Sequence, residues 1–252
     1  MDATCFKIVS IGIVAENKSM VNMDGSWNHE VDVTPVESMN MLDGEIKSNP
    51  SLVENKGVDR KGQQFGSSVA VDQTVKATWL PFGTNRVTSP DVRRGERVYL
   101  WQSADADKYY WTISGLDDDK RRLETAIFAF NGSPSEGGLN LENCYYFEVS
   151  THNKTITLET STANGESHRY TIQINAAESV ITIQDDAGNY FQLDSDEHKL
   201  ILQNQDQSHV ILDKTKIDIK ALDEVHLDVG ATQVTLTPAG TIWKTPKFDG
   251  FS

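Results

Sequence analysis

The sequence predicts an all-β protein in two parts: a small closed barrel, then a run of very short strands that completes its core only with further copies of itself. Three observations predict it. Residues 179–243 alternate apolar and polar residues, break at a small polar turn, and alternate again many times with no helix between. Five or so strand-like stretches with uneven loops precede that run, and they suit a small barrel. Between the two parts lies "GSPSEGG", residues 132–138, a flexible break of glycine, proline and serine.

The strands of the first part come in order. "FKIVSIGIV" (residues 6–14) is rich in β-branched residues, and "HEVDVTPVE" (29–37) alternates, with Pro35 near its end. Residues 43–61 are polar, with glycine, proline and charge, and are expected to form a long loop. "SSVAVDQTVKATWLPF" (67–82) returns to strand. "GERVYLWQS" (95–103) and "KYYWTIS" (108–114) predict a hairpin across the turn ADAD. Residues 116–131, "LDDDKRRLETAIFAFN", are the one passable helix, with Asp117 to Asp119 placed to cap it; a stretch that is mostly loop is the alternative.

In the second part "YYFEVS", "TITLET" and "YTIQIN" are strands separated by turns such as THNK and ANGESH. Apolar pairs then recur about every nine residues, the mark of a short-period β-repeat. The expected inward pairs are Ile172/Ile174, Ile181/Ile183, Phe191/Leu193, Leu200/Leu202, Val210/Leu212, Ile217/Ile219, Val225/Leu227 and Val234/Leu236, with Ile242 last. Two inward residues per strand make a narrow ribbon with one greasy face, which is marginal in water. A single-chain β-helix needs about twice this period for each coil. Three chains about one axis solve the problem, each giving one face, with strand edges paired between chains. The alternative is an ordinary antiparallel meander or sandwich. The boundaries read from the sequence are 1–115 for the barrel, 116–143 for a linker with a short helix, 144–243 for the trimeric β-helix and 244–252 for an apex segment.

Composition limits the function. Net charge is −14, which disfavours a nucleic-acid backbone or an anionic membrane face as a resting partner. Cys5 and Cys144 form no CxxC pattern and read as buried or free thiols of a reducing compartment. No stretch of ~18 apolar residues could form a membrane helix. The opening "MDATCFKIVSIGIV" lacks the basic head of a signal peptide, so synthesis and folding in a cytoplasm are expected. No Ser-His-Asp pattern, P-loop or metal-ligand cluster is legible, and no enzyme is expected. Glu148, Glu159 and Glu166 could suggest paired glycosidase carboxylates, but nothing marks a cleft around them.

The second part resembles the central spike of contractile phage tails and the related spike of the type VI secretion apparatus. "ITIQDDAGNYFQLD" (181–194) is similar to that family's "ITL-x-D-x-x-GN-x-x-x-LD" pattern, and "KIDIKALDEVHLDVG" (216–230) to its "I-x-I-x-A-x-x-x-I-x-L" repeats. "VKATWLPF" with "VRRGERVYLWQSADADKYYW", within 75–111, resembles the strands of its oligosaccharide/oligonucleotide-binding (OB) barrel. The resemblance implies an N-terminal OB-fold-like barrel followed by a trimeric intertwined β-helix, or prism. It implies a homotrimer at the centre of a virion's tail baseplate, made in the host cytoplasm. That spike caps the tail tube, sits on a hub protein and crosses the host outer membrane transiently as the sheath contracts.

Two departures matter. Some relatives carry a lysozyme domain between barrel and helix, and residues 116–144 are too few for one. Some end in an His-x-His tip whose six histidines hold iron, and this chain has no such motif. No cofactor is required; an unidentified ion on the three-fold axis stays open, with His209 and His226 the nearest candidates. Alternation sends His226 outward, whereas "HVIL" lets either Val210/Leu212 or His209/Ile211 face in. Trp243, Phe248 and Phe251 crowd the C-terminal end and read as an apex, either a hydrophobic plug or a platform for a separate tip protein. The alternative reading is a trimeric carbohydrate-binding or adhesin-like tail protein, with Trp79, Trp101 and Trp111 as sugar platforms, although core packing is expected for at least two of them.

Overall fold

The computed structural model describes residues 6–38, 51–58, 64–71, 74–104, 106–133 and 140–247. For strands Ser51–Val58 and Gln64–Val71 it describes the course of the backbone. The chain is all-β. Its helical turns among the described residues are three short 3-10 segments, Val36–Ser38, Asp118–Lys120 and Leu141–Asn143. Contacts divide it into two units: Met1–Ala129 with Glu148–His152, and Phe130–Phe147 with Asn153–Ser252.

The first unit holds a closed five-stranded barrel. Its strands are β1 (Phe6–Val14), β2 (Glu30–Pro35), β5 (Val75–Trp79), β6 (Arg97–Ser103) and β7 (Tyr109–Ile113), ordered β1-β2-β5-β7-β6 and back to β1. Pairing is antiparallel except between β5 and β7. Alternation along each strand sends Val14, Val31, Val33, Ala77, Val98, Leu100 and Trp111 inward to one buried core, with Val92 from a loop. The buried Trp111 indole donates to the His29 carbonyl at 3.0 Å, so its polar atom is satisfied. Gly12 is required by closeness: a Cβ there would lie 2.0 Å from Val33 Cγ1. The predicted hairpin is present as the antiparallel pair β6–β7.

Two expectations need correction here. Part of the stretch expected as loop is strand β3 (Ser51–Val58), paired along its length with β4 (Gln64–Val71) in a two-stranded sheet. Residues 43–50 and 59–61 lie outside the described residues. The predicted helix over 116–131 is absent. One 3-10 turn, Asp118–Lys120, is followed by strand β8 (Thr125–Asn131), because "TAIFAFN" alternates buried and less buried positions. Asp117 makes no side-chain cap; its carboxylate accepts instead from Arg97 N at 3.0 Å and Arg97 Nε at 2.7 Å.

The second unit holds strands β10 to β16 of a nine-stranded sheet whose first two strands, β8 and β9, are divided between the units. After β8 come β9 (Cys144–Ser150), β10 (Thr155–Glu159), β11 (Tyr170–Asn175), β12 (Val180–Asp185), β13 (Tyr190–Asp194), β14 (Lys199–Gln203), β15 (His209–Asp213) and β16 (Lys216–Lys220). They lie side by side in chain order. A three-stranded sheet follows, of β17 (Val225–Val229), β18 (Thr232–Thr237) and β19 (Gly240–Lys244). The expected pairing of neighbouring strands between chains is corrected for β9 to β15: each has both neighbours within its own chain.

The turns explain this in-chain pairing. Asn175 Oδ1 accepts from Ala177 N and Glu178 N, Asp194 Oδ1 from Glu197 N, and Asn204 Oδ1 from Ser208 N. Side-chain-capped turns of this kind close hairpins locally. Asp185 accepts from Ala187 N, Gly188 N and Asn189 N, and from the Asn189 amide at 2.7 Å. Asn189 Oδ1 then accepts from Gln205 N at 2.9 Å, tying this turn to the β14–β15 turn. That is the physical content of "DDAGN". Charge fixes the register too: Asp194, Lys199, Asp213 and Lys216 stand opposite one another in sequence, alternating in sign across four strands.

Candidate functional site

The feature of the second unit with a chemical demand is one face of its sheet. Register places Ile156, Ile174, Ile181, Leu193, Leu200, Leu212 and Ile217 opposite one another in a ladder across seven strands. Leu158, Ile172, Ile183, Phe191, Leu202, Val210 and Ile219 form a second ladder beside it on the same face. The other face carries Thr157, Thr171, Gln173, Thr182, Gln184, Gln192 and Gln203, with an apolar break at the opposed pair Ile201 and Ile211. The apolar ladders are left half open: Leu202 is 58% exposed and Ile217 69%. A contiguous apolar patch of this kind marks an association surface.

At the β9–β11 end the face widens into an aromatic basin of about 420 Å³, walled by Phe130, Tyr145, Phe147, Leu158, Tyr170 and Ile172. Tyr145 donates to Glu166 at 2.6 Å and Tyr146 to Glu159 at 3.1 Å. The Tyr145–Glu166 bond holds the Glu166 carboxyl below its ordinary range and raises the Tyr145 phenol, being the largest cause in each case. Glu159 is also 3.5 Å from Arg169. Glu148 is a half-buried residue of β9. Glu159, at the rim of the basin, and Glu166 are thus engaged by phenols and arginine.

The candidate axial histidines lie on the polar face. His209 stands opposite Gln203 and Lys220, so Val210 and Leu212 take the apolar face, and the ambiguity of "HVIL" is resolved. His209 Nε2 is 3.6 Å from Asp218. His226 stands opposite Thr235, with Nδ1 2.9 Å from Thr235 Oγ1 and carboxylates of Glu224 and Asp228 at 4.0 and 3.9 Å. Among the described residues no group of three His, Cys, Asp or Glu could hold a metal ion.

One inward assignment is corrected at the C-terminal end. Val234 stands opposite Trp243 and Leu236 opposite Thr241, whereas Ile242 stands opposite Thr235 on the polar side. The β18–β19 turn shifts the phase by one residue, and a shift of one exchanges faces. Trp243 therefore belongs to the apolar face, 61% exposed. Phe248 and Phe251 lie outside the described residues.

In the barrel unit Trp111 is buried and Trp79 packs against the core, while Trp101 lies outward with Phe82 stacked on it at 5.9 Å between ring centres. The unit also holds a polar network that sequence spacing could not reveal. Asp91 Oδ2 takes Arg93 at 2.7 Å and His152 Nε2 at 3.3 Å; His152 Nδ1 is 3.2 Å from Thr125 Oγ1, itself 2.7 Å from Ser150 Oγ. The order Asp-His-Thr-Ser has the connectivity of a nucleophile relay. Both hydroxyl residues are buried, however, and the relay works as a polar pin between three segments. Arg121 forms an ion pair with the buried Glu96, Nε to Oε1 3.2 Å, and burial raises the Glu96 carboxyl above its ordinary range. Arg86 pairs with Glu124. Burial lowers the Lys18 ammonium to about 8. Cys144 is a free, buried thiol whose pKa burial raises; Cys5 lies outside the described residues.

The fold and its open face define an all-β class: a five-stranded barrel unit, and a meander unit with an unpartnered apolar side. No protein-family model matches the chain, and no curated protein matches it significantly.

Proposed function

We propose that the chain is a structural protein, the homotrimeric central spike of a contractile tail baseplate, which caps the tail tube and pierces the host envelope mechanically. The observation that carries this reading is the double apolar ladder left open across seven strands. Three such faces turned to a common axis cover one another. They leave the Thr, Gln and charged face in water, and a closed prism presents no free apolar side. The "DDAGN" turn and the barrel that comes first in the chain agree with the resemblance to tail spikes. A prism with its backbone groups paired suits passage through a bilayer. Because its core is shared, unfolding requires three chains to part, which makes unfolding slow. The work is supplied by the contracting sheath; the chain supplies stiffness. The barrel acts as the socket on a hub protein.

The adhesin reading rests on outward aromatic rings. Trp111 is buried in the barrel core and Trp79 packs against that core with His29 stacked on it, which leaves Trp101 with Phe82 as the outward pair. One stacked pair is a thin sugar platform beside two open ladders, so the spike is the better account. Sedimentation equilibrium tests it: the expected mass is three times the 28.0 kDa chain. A folded particle of one chain overturns it.

A further inference from the structure

Two steps of the sequence set glycine directly after asparagine, Asn131–Gly132 and Asn164–Gly165. Such a step has a chemistry of its own. The peptide nitrogen of the glycine can attack the side-chain carbonyl carbon of the asparagine, because glycine has no Cβ to block the approach. The fold treats the two steps differently.

Asn131 ends β8. Its Oδ1 accepts from Ser133 N at 2.9 Å, and Gly132 N donates to Asn143 O at 2.8 Å, just ahead of β9. The glycine is hemmed in: a Cβ there would lie 2.7 Å from Ser161 Oγ and 3.0 Å from Asn143 O. Both reacting groups are held, the nitrogen by a carbonyl and the amide by a backbone N–H. Asn164 lies in the loop between β10 and β11, and it and Gly165 are both exposed. Gly165 stands at φ +94° with nothing within 4 Å of a Cβ built on it. Its N–H reaches only Thr162 O, at 3.3 Å across a local turn. The backbone N–H of Asn164 donates to Glu166 Oε2 at 2.9 Å, but among the described residues no hydrogen bond holds its side-chain amide.

We infer that Asn164 is a site of spontaneous covalent modification, its side chain closing on Gly165 N, and that the fold protects Asn131 from the same reaction. The step balances within the chain. A bond forms from Gly165 N to Asn164 Cγ, the bond from Cγ to the amide nitrogen breaks, and ammonia leaves with the proton of Gly165 N. Water then opens the five-membered imide at either carbonyl. One opening gives aspartate; the other gives isoaspartate, with an extra methylene in the main chain. The product sets a carboxylate two residues from Glu166, whose own carboxylate accepts from Tyr145 of the basin wall at 2.6 Å.

The test ages the full chain in mildly alkaline buffer at physiological temperature, then reads its tryptic peptides by mass spectrometry. Asn164 leaves in residues 155–169, where it is the one asparagine, and Asn131 in residues 123–154. Asn164 is expected to exchange amide for acid about tenfold or more faster than Asn131, whose reaction requires two hydrogen bonds to be released. Two products, aspartate and isoaspartate, should separate by chromatography. In urea the two steps should convert at similar rates, since the fold alone distinguishes them. Equal rates in the folded chain, or an Asn164 that keeps its amide, overturn the assignment. Aspartate as the single product overturns it too, because direct hydrolysis passes through no imide. Asn164→Gln, whose longer side chain must close a larger ring, should stop the conversion in 155–169; a variant peptide that converts as fast as the wild type overturns the attack by Gly165 N.

Discussion

At the scale of single residues, the Lys18 ammonium has little water around it. Burial is the largest influence and lowers its pKa from 10.5 to about 8, opposed by the Asp91 charge. Between about pH 8 and 10.5 the unfolded chain carries this proton and the folded chain does not. The unfolded state then binds more protons, so Lys18 contributes stability that rises with pH through that window. Lys18→Met removes the contribution. The melting temperature of the wild type should climb relative to the variant from about pH 7.5 to about pH 10; a constant gap would show that Lys18 does not titrate there. Gly12 makes a second prediction. A methyl group at that position meets Val33 Cγ1 at 2.0 Å, so Gly12→Ala should cost about 1–3 kcal/mol by overpacking, read from the urea midpoint of the barrel's near-ultraviolet signal. The sequence led to the expectation that at least two of Trp79, Trp101 and Trp111 pack in the core, and Trp111 lies in it with Trp79 packed against it. The Asp91–His152–Thr125–Ser150 pin was not legible in the sequence, because no periodicity links a loop residue to residues of β8, β9 and the turn after it.

At the scale of elements, the turn that joins β12 to β13 does more than reverse the chain. The Asn189 amide is the largest reason that the Asp185 carboxyl titrates below the ordinary range, and the backbone N–H groups it gathers from Ala187, Gly188 and Asn189 add to the effect. Asn189 carries the link onward to Gln205. Asn189→Ala removes two bonds, one of them to a carboxylate, and should destabilise the two turns together by about 1–3 kcal/mol. Hydrogen exchange should then accelerate at Gln205 as well as at the mutated turn; acceleration confined to 186–189 would show that the turns are independent. The same elements explain what sequence could disclose. Alternation is local, so inward pairs from Ile172 to Leu236 could be read one strand at a time. The phase across a turn depends on turn geometry, and at β18–β19 it moved Ile242 to the polar side and Trp243 to the apolar one. The stretch after Leu116 misled for a related reason. Its acidic opening imitates a helix start, but Asp117 is drawn off by Arg97, and strand β8 carries a period of two.

At the scale of the whole molecule, the open ladders make opposite predictions for a lone chain and for a shared core. Leu202 lies in the middle of the apolar face and is 58% exposed in the single chain. If that face meets water, Leu202→Asp is a surface change, worth within about 0.5 kcal/mol, and improves solubility. If three faces meet on an axis, the same change brings three carboxylates into an apolar core, where like charges and desolvation both oppose ionisation. The expected result is loss of the three-chain species near pH 7 with the barrel still folded, judged by its aromatic circular dichroism. The sign of the pH response follows. In the assembly the three introduced carboxyls would have a raised pKa, so assembly is weakened above that pKa and recovers as pH falls below it, when they are neutral. A change on the polar face, Gln192→Asp, introduces the same charge one strand away and should leave the mass at three chains. Equal behaviour of the two variants at neutral pH would mean that the ladder face is not the shared core, and that the alternation of this unit answers to some other demand.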